Sequence, residues 1–349
     1  MRVNKISRIV FLTTSALAFI IYLTSLLAGF INPGICYIFA FAGLGFPILY
    51  GIHLLNTLFN LKNRRWFWIL LIFLILGSPL MLRHYSLPLK ANRNIGKYNL
   101  ISYNIEGFYM PRKAKAAEKG NGVLKDLLMQ SPEIMFFQEF HFRKIKSDDE
   151  IYRQYPHYFP KERSNTNVIF SAYPLINGGK LSSHGEVFAV YADVVFPEQT
   201  IRLINVHLRS IMLNSERKLL QPNVNETIKR STLRKLIRTF RKLRNAFKHR
   251  ALEIKALKKL IEDSPFPVLL AGDFNDTPAS YAYRQIGIRL KDASFLKGHG
   301  WRRTYLKSTF PLKIDHIFTA PQIRARHYEH FSFGHSDHYP VGISFDLTE

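Results

Sequence analysis

The stretch Pro267-Val-Leu-Leu-Ala-Gly-Asp273-Phe-Asn275 joins a short apolar run to a turn that carries a carboxylate and an amide. The apolar run, bounded by Pro267 and Gly272, predicts a buried strand. Asp273 and Asn275 follow at the point where the strand ends. Carboxylate and amide oxygens are ligands that a hard divalent cation such as Mg²⁺ prefers. A strand that ends in this way is therefore a candidate edge of a cation or phosphate site.

Similar strand ends recur between residue 99 and residue 340. Each places a carboxylate, an amide or a histidine at one end of an apolar run. The residues concerned are Asn104, Glu139, His207, the pair Asp315-His316, and the triplet Ser336-Asp337-His338. Because several polar strand ends in one domain are a common way to build a divalent-cation site, we predict that these side chains act together.

The region from Tyr98 onward alternates strand-like runs with helical segments. The runs rich in Val, Ile, Phe and Tyr predict strands at 98–103, 133–138, 167–171, 187–196, 200–206, 267–272, 314–319 and 340–346. Helices are expected at 113–130, 226–262 and 277–286. Mixed strands and helices of this kind predict layered α/β packing around sheets.

Three long apolar runs precede this region, at residues 9–31, 35–59 and 66–82. Each is long enough to cross a hydrocarbon layer of about 30 Å as a helix. We therefore predict a membrane region at residues 1–82 with three transmembrane helices, a polar linker at residues 83–97, and a soluble domain at residues 98–349.

The positive charges near these runs predict which side of the membrane the soluble domain occupies. Six of them fall before the first run or between the second and the third: Arg2, Lys5, Arg8, Lys62, Arg64 and Arg65. Because Lys and Arg collect on the cytoplasmic side, residues 83 onward are expected on the extracytoplasmic side of a multi-pass cell-membrane protein. Four charges weigh against this orientation: Arg83, Lys90, Arg93 and Lys97.

A strongly basic segment lies between Thr227 and Leu252, with ten Lys or Arg residues and no acid. Its apolar residues recur at helical spacing and predict an amphipathic helix: Leu233, Leu236, Ile237, Phe240, Leu243 and Phe247. Three interpretations are open, namely a solvated helix packed on the domain, a helix on anionic lipid headgroups, and a helix bound to nucleic acid. The formal net charge of +24 favours a polyanionic partner without choosing among them.

The order of the polar strand ends resembles a known family. The motifs in chain order are Asn104, Gln138-Glu139, Asn205-Val-His207, Gly272-Asp-Phe-Asn275, Ile314-Asp-His316 and Ser336-Asp-His338. They follow one another as in the endonuclease/exonuclease/phosphatase superfamily, the DNase I-like proteins. The stretches 272–283 and 300–305 look like a membrane-anchored bacterial branch of it. The resemblance covers about residues 96 to 349. It implies an α/β (α+β) four-layered sandwich with two central sheets, here preceded by three transmembrane helices and carrying a basic insertion at about 213–247.

The resemblance also implies Mg²⁺-dependent hydrolysis of a phosphoester, with Mn²⁺ as a substitute metal. Glu139 is expected to be the main metal ligand, assisted by Asn104 and Asp337. Glu106 falls where some members carry another acidic residue, and it is a lesser candidate ligand.

The remaining polar strand ends take catalytic roles in the same resemblance. His338, paired with Asp315, is expected to act as general base or to orient the attacking water. His207 and Asn275 would contact the scissile phosphate, and Asp273 would orient the nucleophile.

The substrate is open between nucleic acid, DNA or RNA, and a phospholipid or inositol phosphate. The basic charge suits the first, whereas the membrane tether and the amphipathic helix, at about 227–250, suit the second. A catalytically silent binding module on the same fold is a further alternative, because a fold alone does not confer activity. Such a module is expected to have lost one of five residues, all of which are present: Glu139, Asp273, Asn275, Asp337 and His338.

Overall fold

The computed structural model describes residues 5–86, 95–108, 124–144, 150–210, 228–296, 300–301, 303–308, 310–333 and 336–348. Several of the sequence predictions fall partly outside these residues. Among them are residues 1–4 of the membrane region, the linker over residues 87–94, the helix predicted at 113–130 up to residue 123, and the insertion and the helix predicted at 226–262 up to residue 227.

The N-terminal part of the chain forms a helical bundle. Its helices are α1 (Lys5–Leu26), α2 (Ile38–Leu44), α3 (Phe46–Phe59) and α4 (Arg64–His84). Two helices, spanning Ser7–Leu26 and Arg64–His84, are long and apolar enough to cross a membrane. Helices α2 and α3 form a third such segment only if they are taken together, because they are bent by 78°.

The bend in the second apolar run has a local cause. Gly45 separates α2 from α3, and Pro47 lies in the first turn of α3. Proline has no backbone N–H, and its ring clashes with the carbonyl group of the preceding helical turn. It is therefore tolerated in the first turn of a helix but not in the interior. The run at 35–59 is therefore a broken helix and not one straight span.

A buried polar cluster joins the helices of the bundle. Ser15 Oγ donates to Asn56 Oδ1 at 2.7 Å and accepts from Trp66 Nε1 at 3.0 Å, and Asn60 Nδ2 lies 3.1 Å from the same oxygen. Hydrogen bonds of this kind hold helices together where the surroundings are apolar.

The soluble part contains two six-stranded sheets among its described residues. The strand orders are β10-β12-β9-β8-β7-β6 and β13-β14-β2-β3-β5-β4, and a two-stranded pair joins β1 to β11. The strands are β1 (Tyr85–Ser86), β2 (Tyr98–Asn104), β3 (Ile134–Gln138), β4 (His157–Phe159), β5 (Val168–Ser171), β6 (Leu175–Ser183), β7 (Glu186–Val195), β8 (Thr200–His207), β9 (Val268–Asp273), β10 (Lys291–Asp292), β11 (Gly300–Trp301), β12 (Asp315–Thr319), β13 (Ile323–His330) and β14 (Val341–Leu347). The helices are α5 (124–128), α6 (Glu150–Gln154), α7 (Ile228–Glu262) and α8 (Tyr281–Gly287).

Three apolar clusters define the layers. One lies between the two sheets and includes Phe136 and Leu203. A second joins the outer face of the β2–β3 sheet to α5 and α6, and a third joins the outer face of the β8–β9 sheet to α7 and α8, through residues such as Leu270 and Leu257. The order helix, sheet, sheet, helix confirms the predicted four-layered sandwich.

The bundle packs on the helix layer formed by α7 and α8. Ala279, just before α8, belongs to the same buried cluster as Tyr22 and Phe46 of the bundle. The guanidinium of Arg284 lies 3.6 Å from the centre of the Phe30 ring. The soluble domain is therefore in direct contact with the apolar helices.

Candidate active site

The polar strand ends meet at one edge of the sandwich. Strands β2 and β3 run parallel in one sheet, and β8 and β9 run parallel in the other. Asn104 at the end of β2 donates a hydrogen bond from Nδ2 to Oδ2 of Asp273 at the end of β9, over 3.0 Å. His207 is the register partner of Asp273 in the neighbouring strand. The four carboxyl ends thus bring their side chains together, as ends of parallel strands commonly do at ligand sites.

Asp273 is the buried centre of this group, with 1% of its surface exposed. Its Oδ1 accepts from the backbone N–H of Asn275 at 2.7 Å, and its Oδ2 accepts from Asn275 Nδ2 at 3.2 Å. Nε2 of His207 and Nε2 of His338 each lie 3.7 Å from Oδ2. Burial raises the pKa of Asp273, and the nearby histidines only partly oppose it.

The turn after β9 has a backbone that its sequence explains. Gly272 has φ 143°, and a Cβ there would clash with the carbonyl oxygen of Val206. Asn275 has φ 51°, in the left-handed region that asparagine tolerates better than most residues. Its Nδ2 also donates to the carbonyl oxygen of Leu208 at 3.0 Å, which ties the turn to the end of β8.

His338 and Asp315 form a buried pair beside Asp273. Nδ1 of His338 lies 2.9 Å from Oδ2 of Asp315, and Asp315 is the register partner of Asp273. Burial by itself lowers the pKa of His338, but the carboxylates of Asp315 and Asp273 outweigh it and raise the pKa to about 10. The imidazole is therefore charged at neutral pH, and its Nε2–H points towards Asp273.

His316, the other histidine of the same strand end, does not join the site. It is buried, and its Nε2 lies 2.9 Å from the carbonyl oxygen of Asp276. Burial, with the nearby ammonium of Lys313, lowers the pKa of His316 to about 4. A neutral imidazole of this kind fills the core behind the site.

The predicted metal ligands lie in two adjacent groups. Oε1 of Glu139 is 3.5 Å from Asn104 Nδ2 and 3.9 Å from His207 Nε2. Glu106 and Asp337 are joined by Lys307, whose Nζ lies 2.6 Å from Glu106 Oε1 and 2.7 Å from Asp337 Oδ2.

These residues fit a hard divalent cation. The carboxylates of Glu139, Glu106 and Asp337 offer only oxygen donors, as Mg²⁺ and Mn²⁺ prefer. Glu139 and Glu106 both have left-handed backbones, at φ 54° and φ 45°. Such strain is typical of functional sites. Lys307 places an ammonium group between two of these carboxylates.

A second group of possible metal ligands lies at Asp273, Asp315 and His338. Single ligand atoms of Asp273, Asp315 and His338 lie within 4.8 Å of one another. In this group the Nδ1 of His338 and the Oδ2 of Asp315 already satisfy each other by a hydrogen bond. Among the described residues, these three side chains could hold a metal ion, and the hydrogen-bonded pair of His338 and Asp315 could also take part in proton transfer.

A polar cleft of about 680 Å³ opens beside Glu139 and His207. Its lining includes the cationic side chains of Lys180 and Arg209 and the polar side chain of Asn165. Lys180 pairs with Glu162 at 3.0 Å, and Arg209 pairs with Glu186. The cleft therefore holds two cationic side chains next to the strand ends, each paired with a glutamate.

Sequence reasoning did not find Lys307, Lys180 or Arg209. Each is one basic residue among 49 Lys and Arg, and none belongs to a recurrent strand-end pattern. The only available signal was the position of Arg209, two residues after His207.

Helix α7 holds two of the loops that form the site. Its Arg250 is buried, donates from Nη1 to the carbonyl oxygen of Asn275, and lies 3.5 Å from Asp276 Oδ2. Its Glu253 accepts from the backbone N–H of Arg209 at 2.9 Å. Burial raises the pKa of Glu253, and the arginines only partly oppose this.

Comparisons with known proteins agree with this geometry. The sequence model described as the endonuclease/exonuclease/phosphatase family matches residues 101–338, and that of a domain of unknown function, DUF8431, matches residues 7–84. No curated protein matches the chain.

Among solved structures the chain is similar to three proteins that cover its soluble part. The first is a D. rerio TDP2 humanized by 14 mutations (16% identity, 71% of this chain and 98% of that chain, TM-score 0.52). The second is the human Nocturnin catalytic domain (16%, 72% and 94%, TM-score 0.51). The third is a functionally unknown conserved protein from Enterococcus faecalis V583 (15%, 71% and 99%, TM-score 0.51). At these identities the similarity shows the fold.

Proposed function

This chain belongs to the endonuclease/exonuclease/phosphatase family and is a hydrolase of phosphoester bonds, and we propose that it acts with Mg²⁺ while anchored in a membrane. The observation that carries the proposal is the convergence of five strand-end side chains, each within hydrogen-bond or ion-pair distance of at least one other. They are Asn104, Glu139, His207, Asp273 and His338.

Asp273 and His338 divide the proton chemistry between them. The raised pKa of Asp273 makes this carboxylate a better proton acceptor than an ordinary aspartate, so it is suited to orient the attacking water and take its proton. His338 is charged through its pairing with Asp315. Its Nε2–H is suited to orient water and to donate to a phosphoryl oxygen, which is the second of the two roles expected for it.

His207 and Asn275 lie on the phosphate side. The side chain of His207 is 18% exposed and borders the polar cleft. Asn275 Nδ2 donates to Oδ2 of Asp273 and to the carbonyl oxygen of Leu208, which uses both of its hydrogens. A contact between Asn275 and the scissile phosphate would therefore replace one of these two hydrogen bonds.

Glu139 with Asn104 would hold the metal, together with Asp337 and Glu106. When bound, Mg²⁺ supplies a Lewis acid that offsets negative charge on the phosphoryl group. Lys307 lies between Glu106 and Asp337, so its ammonium pairs with both carboxylates and would compete with a metal ion for them.

Membrane anchoring is supported by the bundle. The turn after α1 contacts Arg284 through Phe30, and the end of α4 contacts Lys313, whose Nζ lies 3.5 Å from the carbonyl oxygen of Arg83. The end of α1 and the end of α4 therefore both lie beside the soluble domain. Three membrane crossings require this arrangement, if α2 and α3 together make the second crossing. The basic residues at 62–65 then lie on the far side, which favours an extracytoplasmic soluble domain.

A reporter fused after Glu349 tests this orientation. An extracytoplasmic signal is expected, and a cytoplasmic signal would overturn the assignment of sides.

The substrate is a nucleic acid or a lipid-derived or inositol phosphate. Full-length protein in detergent with Mg²⁺ should be assayed in parallel on plasmid DNA, RNA, phospholipid vesicles and inositol phosphates. We expect one class to be hydrolysed, and His338→Ala to abolish that activity while the protein stays folded. Glu329→Gln, an exposed carboxylate on β13, is the matched control and should keep full activity. Full activity in His338→Ala would contradict the mechanism, and inactivity on every class would favour the silent binding module.

A further inference from the structure

Helix α7 buries only part of its length on the sandwich. Phe247, Ile254, Leu257 and Ile261 are buried. Before them, the side chains at 237–241 are exposed, with Ile237 and Phe240 at 44% and 46%. Arg238 and Arg241 beside them are also exposed. The first half of α7 is therefore an outward face that is both basic and apolar.

This first half is fixed against the short helix α2. The Phe41 ring stacks on Phe240 with ring centres 4.2 Å apart, and it meets the edge of Phe247 at 5.2 Å. The guanidinium of Arg244 lies 5.6 Å from the centre of the Tyr37 ring. Aromatic and cation–π contacts of this kind stabilise a defined orientation.

Helix α2 lies where the helical bundle contacts the soluble domain. It is bent by 78° from α3, so it does not continue the direction of that helix. Beside it, Phe30, Ile35 and Ile38 are 57%, 85% and 58% exposed. Large apolar side chains exposed at the end of an apolar bundle are typical of the boundary between hydrocarbon and headgroups.

We propose that the first half of α7 is a docking surface for anionic phospholipid headgroups. Arg238 and Arg241 supply guanidinium groups that match phosphate geometry, and Ile237 and Phe240 supply apolar contact with the acyl boundary. The charge is complementary, because the segment 227–252 holds ten Lys or Arg and no acid. A nucleic acid would use the cations but leave the exposed apolar side chains in water, so the combination favours a lipid surface.

Docking would set the position of the active site relative to the leaflet. The same helix carries Arg250 and Glu253, which hold the loops at Asn275 and Arg209. A rigid helix that contacts lipid at one end and the catalytic loops further along fixes the distance between the two. The inference rests on the membrane anchoring proposed above.

Hydrogen exchange on the full-length protein in nanodiscs tests the proposal. One set of discs contains phosphatidylcholine alone, and the other contains phosphatidylcholine with phosphatidylglycerol. We expect backbone amides at 234–244 to exchange about tenfold more slowly in the anionic discs, since each basic residue near such a surface contributes to binding. Arg238→Glu with Arg241→Glu should abolish the difference. Arg163→Glu with Arg324→Glu, two exposed arginines on or beside the β2–β3 sheet, should leave it unchanged.

The outcomes separate this inference from the proposed anchoring. Equal exchange of wild-type protein in both kinds of disc would overturn the docking surface alone. Slower exchange on adding a DNA duplex, with no response to phosphatidylglycerol, would assign the surface to nucleic acid and also overturn it. Protein that does not enter the discs would contradict the anchoring and, with it, the docking surface.

Discussion

At the scale of single residues, the proton carried by His338 depends on its two carboxylate neighbours. Asp315→Asn removes the nearer charge and its hydrogen bond, so the pKa of His338 should fall well below about 10. NMR titration of labelled histidine imidazoles in wild-type protein and the variant measures the change. Because the folded-state pKa is raised, the stability that His338 contributes is fully present below the pKa of an unfolded histidine, about 6.5. It is lost as pH rises through about 10. An unchanged imidazole titration in Asp315→Asn would contradict the assignment.

Lys307 gives a second prediction at this scale. Lys307→Met removes the ammonium between Glu106 and Asp337 and leaves two neighbouring carboxylates without it. Affinity for Mn²⁺, measured by electron paramagnetic resonance, should rise on the order of tenfold, because the two carboxylates lose the cation that competes for them. Lys180→Met, which removes a cation paired with Glu162, is the control and should leave the affinity unchanged. Weaker Mn²⁺ binding in Lys307→Met would show that the lysine supports the metal site.

The strand-end residues that meet at the candidate site were predictable from the sequence, whereas their basic neighbours were not. Asn104, Glu139, Asp273 and His338 lie at strand ends, where a sequence pattern fixes both the position and the side chain. Lys307 lies in a loop between two such ends. Its place between two carboxylates depends on how that loop crosses the cleft, and no local pattern encodes it.

At the scale of elements, α7 supports the site through Arg250. Arg250→Met leaves the buried carboxylate of Asp276 without its cation, so the free energy of unfolding should fall by about 3 kcal/mol. Chemical denaturation in detergent measures the loss. Adding Asp276→Asn should recover part of it, because the unpaired charge is then removed. A double variant less stable than Arg250→Met would contradict the pairing.

The central strands were predictable from sequence and the edge strands were not. All eight predicted strands form, with ends within one residue of those expected. Six strands were missed, namely β1, β4, β6, β10, β11 and β13, of which β1 and β11 form a separate pair and the others are edge strands. β4 and β6 are the outermost strands of their sheets on one side, and β13 lies at an edge on the other. Edge strands carry polar and glycine residues such as those at 177–180, so they lack the apolar alternation that identifies a buried strand.

The bend in the second apolar run could not be predicted from hydropathy. The hydropathy of residues 35–59 predicts a membrane span, but it does not tell whether the helix is straight. Gly45 and Pro47 turn the chain by 78°, and the signal for this turn was the proline itself.

At the scale of the whole molecule, the order of the two parts was predictable but their contact was not. The contact uses residues such as Phe41, Phe240 and Ala279, which in the sequence look like ordinary apolar positions. Nothing in a hydropathy pattern tells whether an apolar side chain faces lipid, a core or a neighbouring domain.

Removing the bundle tests how much this contact contributes. A chain that begins at residue 95 exposes Phe240, Phe247 and Ala279, so it should unfold at a lower temperature than the full-length protein in detergent and should self-associate. Thermal unfolding and light scattering measure both effects. An equally stable, monomeric fragment would contradict a structural role for the contact.

The whole molecule is expected to join the strand ends of both sheets into one metal-assisted hydrolytic site. The test is kcat/KM of full-length protein on its preferred phosphoester, for wild type and Glu139→Gln, with Mg²⁺ and after chelation by EDTA. Both the variant and the chelated enzyme should lose on the order of 10²–10³-fold or more, while Glu329→Gln retains wild-type activity. Wild-type kcat/KM in Glu139→Gln, or activity that EDTA does not reduce, would contradict a metal-assisted site.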